Sequence, residues 1–207
     1  MAIRRIGLVA LVSTLLSACA GSGYQYVQSS SNATYFKVPK DWKVFDRADV
    51  LKAASSSQPV DAASDLKFLA IFDGDPVPSL EHGLETASHP FGIVTVRELD
   101  IEERDKFSRS ELRNQVVPID EILDLKKGKV DLVSEPKSIL QPKGLAGTRL
   151  TYRISTDDLS FTVDQIGLVD PDHRFVYFFI AGCESTCYDQ NRRTITEIAD
   201  SWTIKEP

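Results

Sequence analysis

The chain has 207 residues, with 30 acidic against 24 basic side chains, a formal charge of −6 and a pI of about 5.1. That balance disfavours a nucleic-acid partner and gives no net attraction to anionic lipid headgroups. The length suits one ordinary domain with a real core, and no internal repeat or shift of composition after residue 34 marks a second.

Arg4 and Arg5 open the chain, and Ile6 to Leu16 follow as an apolar run of eleven residues. A basic start before a run of that length is the pattern of a secretory leader. It is too short for a spanning helix, which needs roughly 20 apolar residues. Leu16-Ser17-Ala18-Cys19 then resembles the lipobox of bacterial lipoproteins: a leucine, two small residues and the cysteine. The resemblance implies cleavage before Cys19, a diacylglyceryl thioether on its sulfur and usually acylation of the new N-terminus. An ordinary secretory leader cleaved near a cysteine is the other reading. The mature chain, Cys19 to Pro207, would have 189 residues, and its 22 basic and 30 acidic side chains leave −8. Lipid rather than charge would then hold it at a membrane, since two acyl chains anchor stably where one does not.

Gly21 to Asn32 is rich in glycine and serine and carries no charge. It reads as a flexible tether, so the expected organisation is a leader over 1–18, a lipidated cysteine and tether over 19–33, and a single α+β domain over 34–207. "TYFKVPKDWKVF" (34–45) reads as a strand, a turn at Pro39-Lys40-Asp41 and a second extended piece. "DRADVLKAASSS" (46–57) reads as a short helix with Asp46 at its N-cap. "DLKFLAIFDG" (65–74) has the unbroken apolar run of a strand buried on both faces, and "FGIVTVRELD" (91–100) is the next strand.

Residues 101–128 change character. Glu102/Lys106 and Asp105/Arg109 stand at i,i+4, with Leu112, Val116 and Ile119 on the other side, which predicts a helix ended or kinked by Pro118 and then a second short helix. Strands follow over 129–140, 145–156, 159–170 and 174–182, with hairpin turns at Asp157-Asp158 and Pro171-Asp172-His173. Leu150, Tyr152 and Ile154 alternate with Arg149, Thr151 and Arg153, which predicts one wet face. Phe175 to Ile180 does not alternate, the mark of a central strand. A last helix, capped by Ser185 or Thr186, carries the stripe Cys187, Asn191, Ile195, Ile198 and Trp202. The sum is an α+β fold, a mainly antiparallel sheet sandwiched between helices.

The opening "YFKVPKDWKVF" and the close "IADSWTIKEP" resemble the PsbP-like family, which includes the lumenal P subunit of photosystem II and small bacterial lipoproteins of the LpqN type. Phe36, Val38, Pro39, Trp42 and Val44 fit its opening, and Trp202 fits the aromatic between its last helix and a short final strand. The resemblance implies the same sandwich, accessory or binding roles, and no shared catalytic residues.

Cys183 and Cys187 are the sharpest pair of candidates. Three residues separate them, where a redox pair wants two, and in an oxidising compartment a structural disulfide is the main reading, with free thiols or redox or metal chemistry as alternatives. His82, His89 and His173 do not stand in zinc-helix spacing. His173 with Asp170 and Asp172 makes either a weak cation site or a solvated hairpin tip, and Asp73-Gly74-Asp75 reads as a strand-ending turn. No nucleophile elbow, phosphate loop or dinucleotide fingerprint is present in the sequence. The expected function is a non-enzymatic, lipid-anchored envelope module with no cofactor, bound to the membrane through Cys19 and to an envelope protein or small ligand. The alternative is an envelope hydrolase built from dispersed carboxylates with His82 or His89.

Overall fold

The structure, a computed structural model, describes residues 23–29, 34–54, 66–83, 88–108, 112, 129–141, 144–156 and 159–205. Cys19, the leader, the Asp157-Asp158 turn, Arg109, Pro118 and the second helix expected after it lie outside the described residues.

The first element departs from expectation. Tyr24–Ser29 form β1, not part of a tether, and pair antiparallel with β2 (Thr34–Pro39) over the whole length of both. Among the described residues, pairing is in place from Gly23, whose carbonyl accepts the Lys40 N–H at 3.0 Å. The reason lies in side chains that composition hides. Val27 points inward onto the core, and Gln25 spans the strands to donate to the carbonyls of Pro39 (3.2 Å) and Trp42 (2.6 Å).

The chain then turns through β3 (Lys43–Asp46) into α1 (Arg47–Ala54). Asp46 and Asp49 exchange side-chain-to-backbone bonds at 3.0 and 3.1 Å, the reciprocal capping that starts a helix. β4 (Leu66–Asp73) and β5 (Phe91–Glu98) follow, then α2 (Ile101–Lys106), shorter than the periodicity predicts because Phe107 turns extended. The stretch read as one strand over 129–140 is two, β6 (Lys129–Leu132) and β7 (Lys137–Leu140). Both pair with β8 (Ala146–Ser155), and the interruption contains Pro136, which cannot donate to a ladder. β9 (Ser160–Val169), β10 (Phe175–Glu184), α3 (Ser185–Ser201) and β11 (Thr203–Ile204) complete the fold.

All pairings are antiparallel, in two sheets rather than one: β1-β2-β11, and β3-β4-β5-β10-β9-β8-β6 with β7 also on β8. α3 lies on one face of the large sheet, where Tyr188, Ile195, Ile198 and Ala199 join Phe72, Val94, Phe179 and Ala181. The small sheet closes this core with Phe36 and Val38. On the opposite face α1 packs by Val50 and Leu51 against Leu69 and Ile71, and Phe107 and Leu112 pack against Leu99, Val176 and Phe178. β10 is the doubly covered central strand that its unbroken apolar run predicts.

The motif residues of the opening and close meet here. Phe72 contacts Phe36, Trp42 and Phe179 at ring separations of 5.9–6.2 Å, and Phe179 continues to Trp202 at 5.9 Å. Gly92 makes room for this chain, since a Cβ there would lie 2.1 Å from the Phe72 ring. These residues join the two sheets and the last helix; their work is packing.

Candidate functional site

Cys183 is the penultimate residue of β10 and Cys187 lies in the first turn of α3; their sulfurs are bonded, with Cα atoms 5.9 Å apart. Both are buried, which places the pair in the core and away from solvent chemistry. The expected hydroxyl cap of α3 is absent. Glu184 is the N-cap without a side-chain bond, and Ser185 instead meets Ser160 (2.8 Å) and Thr162 (2.9 Å) of β9.

His82 lies in a 3-10 turn (Leu80–Gly83), and His89 and His173 lie in loops. His82 Nδ1 stands 2.7 Å from Asp73 Oδ2, and His89 Nδ1 stands 2.9 Å from Asp75 Oδ2. Asp73 is 1% exposed and also accepts the backbone N–H groups of Asp75 (2.9 Å) and Ser79 (2.8 Å). Its carboxylate is thus engaged in closing the loop after β4, with His82 as one more clasp. Backbone bonding first, and the two histidines after it, hold the Asp75 carboxyl below its ordinary range. His173 takes a positive φ of 50° in the β9–β10 turn, where Asp170 Oδ1 accepts the N–H groups of Arg174 and Phe175. That is a hairpin tip. Among the described residues no group of three or more His, Cys, Asp or Glu side chains is placed to hold a metal ion.

The polar constellation that sequence reasoning missed lies beside α3. Arg149 of β8 makes a two-pronged contact with Asp164 of β9, Nε to Oδ1 at 2.9 Å and Nη2 to Oδ2 at 2.5 Å, and reaches Asp200 of α3 at 2.5 Å. The face of β8 read as wet therefore docks onto the helix through charge. Asp164 is 1% exposed. Burial alone would depress the Arg149 guanidinium, but the two carboxylates outweigh it and hold its pKa above the ordinary arginine value. Tyr188, 2% exposed, stands over the same floor; burial, and then the Asp164 carboxylate, push its phenol up to about 12. These groups line a cleft of about 240 Å³ together with Lys137, Thr151, Arg192 and Thr196. The signal in the sequence was Asp164-Gln165 inside an otherwise apolar strand: a carboxylate that deep needs a partner. A larger, open groove of about 870 Å³ runs between Arg47, Lys67 and α2, but Glu98 there is neutralised by Lys67 at 3.1 Å and Arg104 at 3.5 Å.

No protein-family model matches the chain, and no curated protein does. Among solved structures, the cyanobacterial PsbP (CyanoP) of Synechocystis sp. PCC 6803 superposes over 92% of this chain and 99% of its own, with a TM-score of 0.53 at 13% identity. The chain has a PsbP-like fold. LpqN of Mycobacterium tuberculosis, described as involved in cell envelope biogenesis, aligns over 88% of this chain and 90% of its own with a TM-score of 0.49 at 14% identity. The Ran-binding protein Mog1p of Saccharomyces cerevisiae aligns over 88% and 96% with a TM-score of 0.46 at 11%. The CyanoP superposition alone carries the PsbP-like architecture, and identities this low carry no residue of function across. The fold agrees with what Phe36, Val38, Trp42 and Trp202 imply, and those four prove to be core residues of the PsbP-like sandwich.

Proposed function

We propose that this protein is a lipid-anchored, extracytoplasmic binding module of the cell envelope, non-enzymatic, attached through Cys19 and engaging an envelope protein or small polar ligand. The observation that carries the reading is Leu16-Ser17-Ala18-Cys19 behind a basic and apolar leader and directly before a folded domain. The bonded pair Cys183–Cys187 fits an oxidising compartment. The cleft beside α3 supplies the recognition chemistry: hydroxyls and two cations, Lys137 and Arg192, around an Arg149–Asp164 floor already fixed before any partner arrives. Among the described residues no helix is long and apolar enough to cross a membrane.

A second reading, an envelope hydrolase using His82, draws on the 2.7 Å contact with Asp73. The two backbone N–H groups on the same carboxylate argue for a loop clasp instead. Replacing Lys137 with a photo-crosslinking residue in intact cells tests the binding reading. A reproducible envelope partner, or a ligand retained by the purified protein, supports it. Neither appearing, with hydrolytic activity that His82→Ala abolishes while leaving stability intact, would overturn it in favour of the enzyme.

A further inference from the structure

We propose that the outward face of the β1-β2-β11 sheet is a membrane-resting surface that contacts the phospholipid headgroup layer. The proposal rests on the lipid anchor proposed above and adds the orientation of the domain on it. Register fixes which side chains face out. Tyr24, Tyr26 and Gln28 of β1 oppose Pro39, Lys37 and Tyr35 of β2, while the inward set, Val27, Phe36 and Val38, enters the core. Thr203 opposes Tyr35, and Lys205 stands just beyond β11. Among the described residues, no outward position of the three strands carries a carboxylate, in a mature chain whose formal charge is −8.

Three tyrosines and two lysines make this face chemically distinct. Lys37 Nζ lies 4.2 Å from the Tyr24 ring centroid and Lys205 Nζ 5.1 Å from that of Tyr35. Each pair presents an apolar ring beside a cation, the amphipathic combination that favours a headgroup layer, where one end of a side chain is greasy and the other wet. Tyr26 is 73% exposed between them. The flank is closed without excess negative charge, because Glu197 of α3 accepts from the Tyr24 hydroxyl and pairs with Arg193 at 2.9 Å.

The length of chain before β1 selects this face. Five residues from Cys19 to Tyr24 reach at most about 18 Å fully extended. A 189-residue domain has a radius of gyration of about 16 Å, so the leash is shorter than the domain is wide. The surface on which β1 begins must then stay close to the bilayer. The neighbouring solvent side of α3 is ion-paired instead, Asp189 with Arg192 and Asp200 with Arg149. Net charge thus misleads: the domain is acidic overall, and the side nearest its anchor is not.

The test uses the full lipoprotein in vesicles of phosphatidylethanolamine and phosphatidylglycerol carrying a headgroup nitroxide. A fluorophore is placed on Tyr26→Cys, and on Ala48→Cys of α1, exposed on the opposite side of the molecule. With Cys19 acylated and Cys183 bonded to Cys187, the introduced thiol is the reactive one. The expected result is lipid-nitroxide quenching and severalfold protection from iodide at position 26, neither at position 48, and loss of the difference in K37E/K205E. Each lysine at an anionic surface strengthens association about fivefold, so a double reversal is amply readable. Equal iodide access at the two positions in protein whose Cys19 peptide is acylated by mass overturns the face and leaves the anchor standing. An unmodified Cys19 peptide overturns both. Protection at 26 without nitroxide quenching assigns the face to a second copy of the chain and overturns the membrane assignment.

Discussion

Asp164 lies in the middle of β9 with its carboxylate out of water and met by an arginine. Arg149 answers it with two bonds and is itself steadied by Asp200. Removing one partner of a buried pair leaves the other charge desolvated, so Asp164→Asn is expected to cost about 2–4 kcal/mol by urea unfolding, a little below the usual range because Asp200 remains. R149M/D164L, which removes both charges, should recover most of that loss. An Asp164→Asn protein as stable as wild type would show the pair to be incidental. Tyr188 adds a pH signature. Its pKa is raised from 10.0 in the unfolded chain to about 12 in the folded one, so the proton stabilises the fold. That contribution is full below pH 10 and is lost as pH rises from 10 to 12. Two pH units correspond to about 2–3 kcal/mol, and Tyr188→Phe should flatten the alkaline fall of stability by up to that amount. These residues were hard to find in sequence because a partly exposed strand alternates Arg and Thr with apolar side chains whether its polar side meets water or a helix. Only the isolated Asp-Gln pair in β9 told the two cases apart.

At the scale of elements, runs that are buried on both sides were legible and edges were not. β4 and β10 declare themselves by unbroken apolar sequence, and α1 by Asp46 at its cap. β1 does not, because glycines, serines and glutamines read as linker until Gln25 and Val27 are seen to have partners on β2 and in the core. A mature chain truncated to begin at Thr34 should lose about 2 kcal/mol or more, from the partly buried Val27 together with the β1–β2 ladder. Equal thermal stability of the two chains would return residues 24–29 to the status of a tether. The Cys183–Cys187 bond fastens β10 to α3 across a loop of five residues, and a closure that small restricts the unfolded chain by about 2 kcal/mol. Cys183→Ala/Cys187→Ala should lower the urea midpoint accordingly without altering the native circular dichroism. An unchanged midpoint would mean that the core already holds strand and helix together.

For the whole molecule, the sandwich was readable from the order of strands and from a handful of aromatics that proved to be one packed chain, Phe36, Phe72, Phe179 and Trp202, with Trp42 against Phe72. Its division into two sheets was not readable, since nothing in a six-residue strand announces which neighbour it will pair with. The candidate cleft arises from that three-dimensional arrangement, where β7, β8, β9 and α3 converge. The address proposed above, by contrast, rests on the first nineteen residues. The measurement that bears most directly on the account is the mass of the N-terminal peptide of the protein recovered from the membrane fraction of cells producing it. The account predicts a chain beginning at Cys19 and carrying a diacylglyceryl thioether, shifted to the soluble extracytoplasmic fraction or held as uncleaved precursor in Cys19→Ser. A chain that keeps Met1 to Ala18, bears an unmodified Cys19 and resides in the cytosol would contradict it.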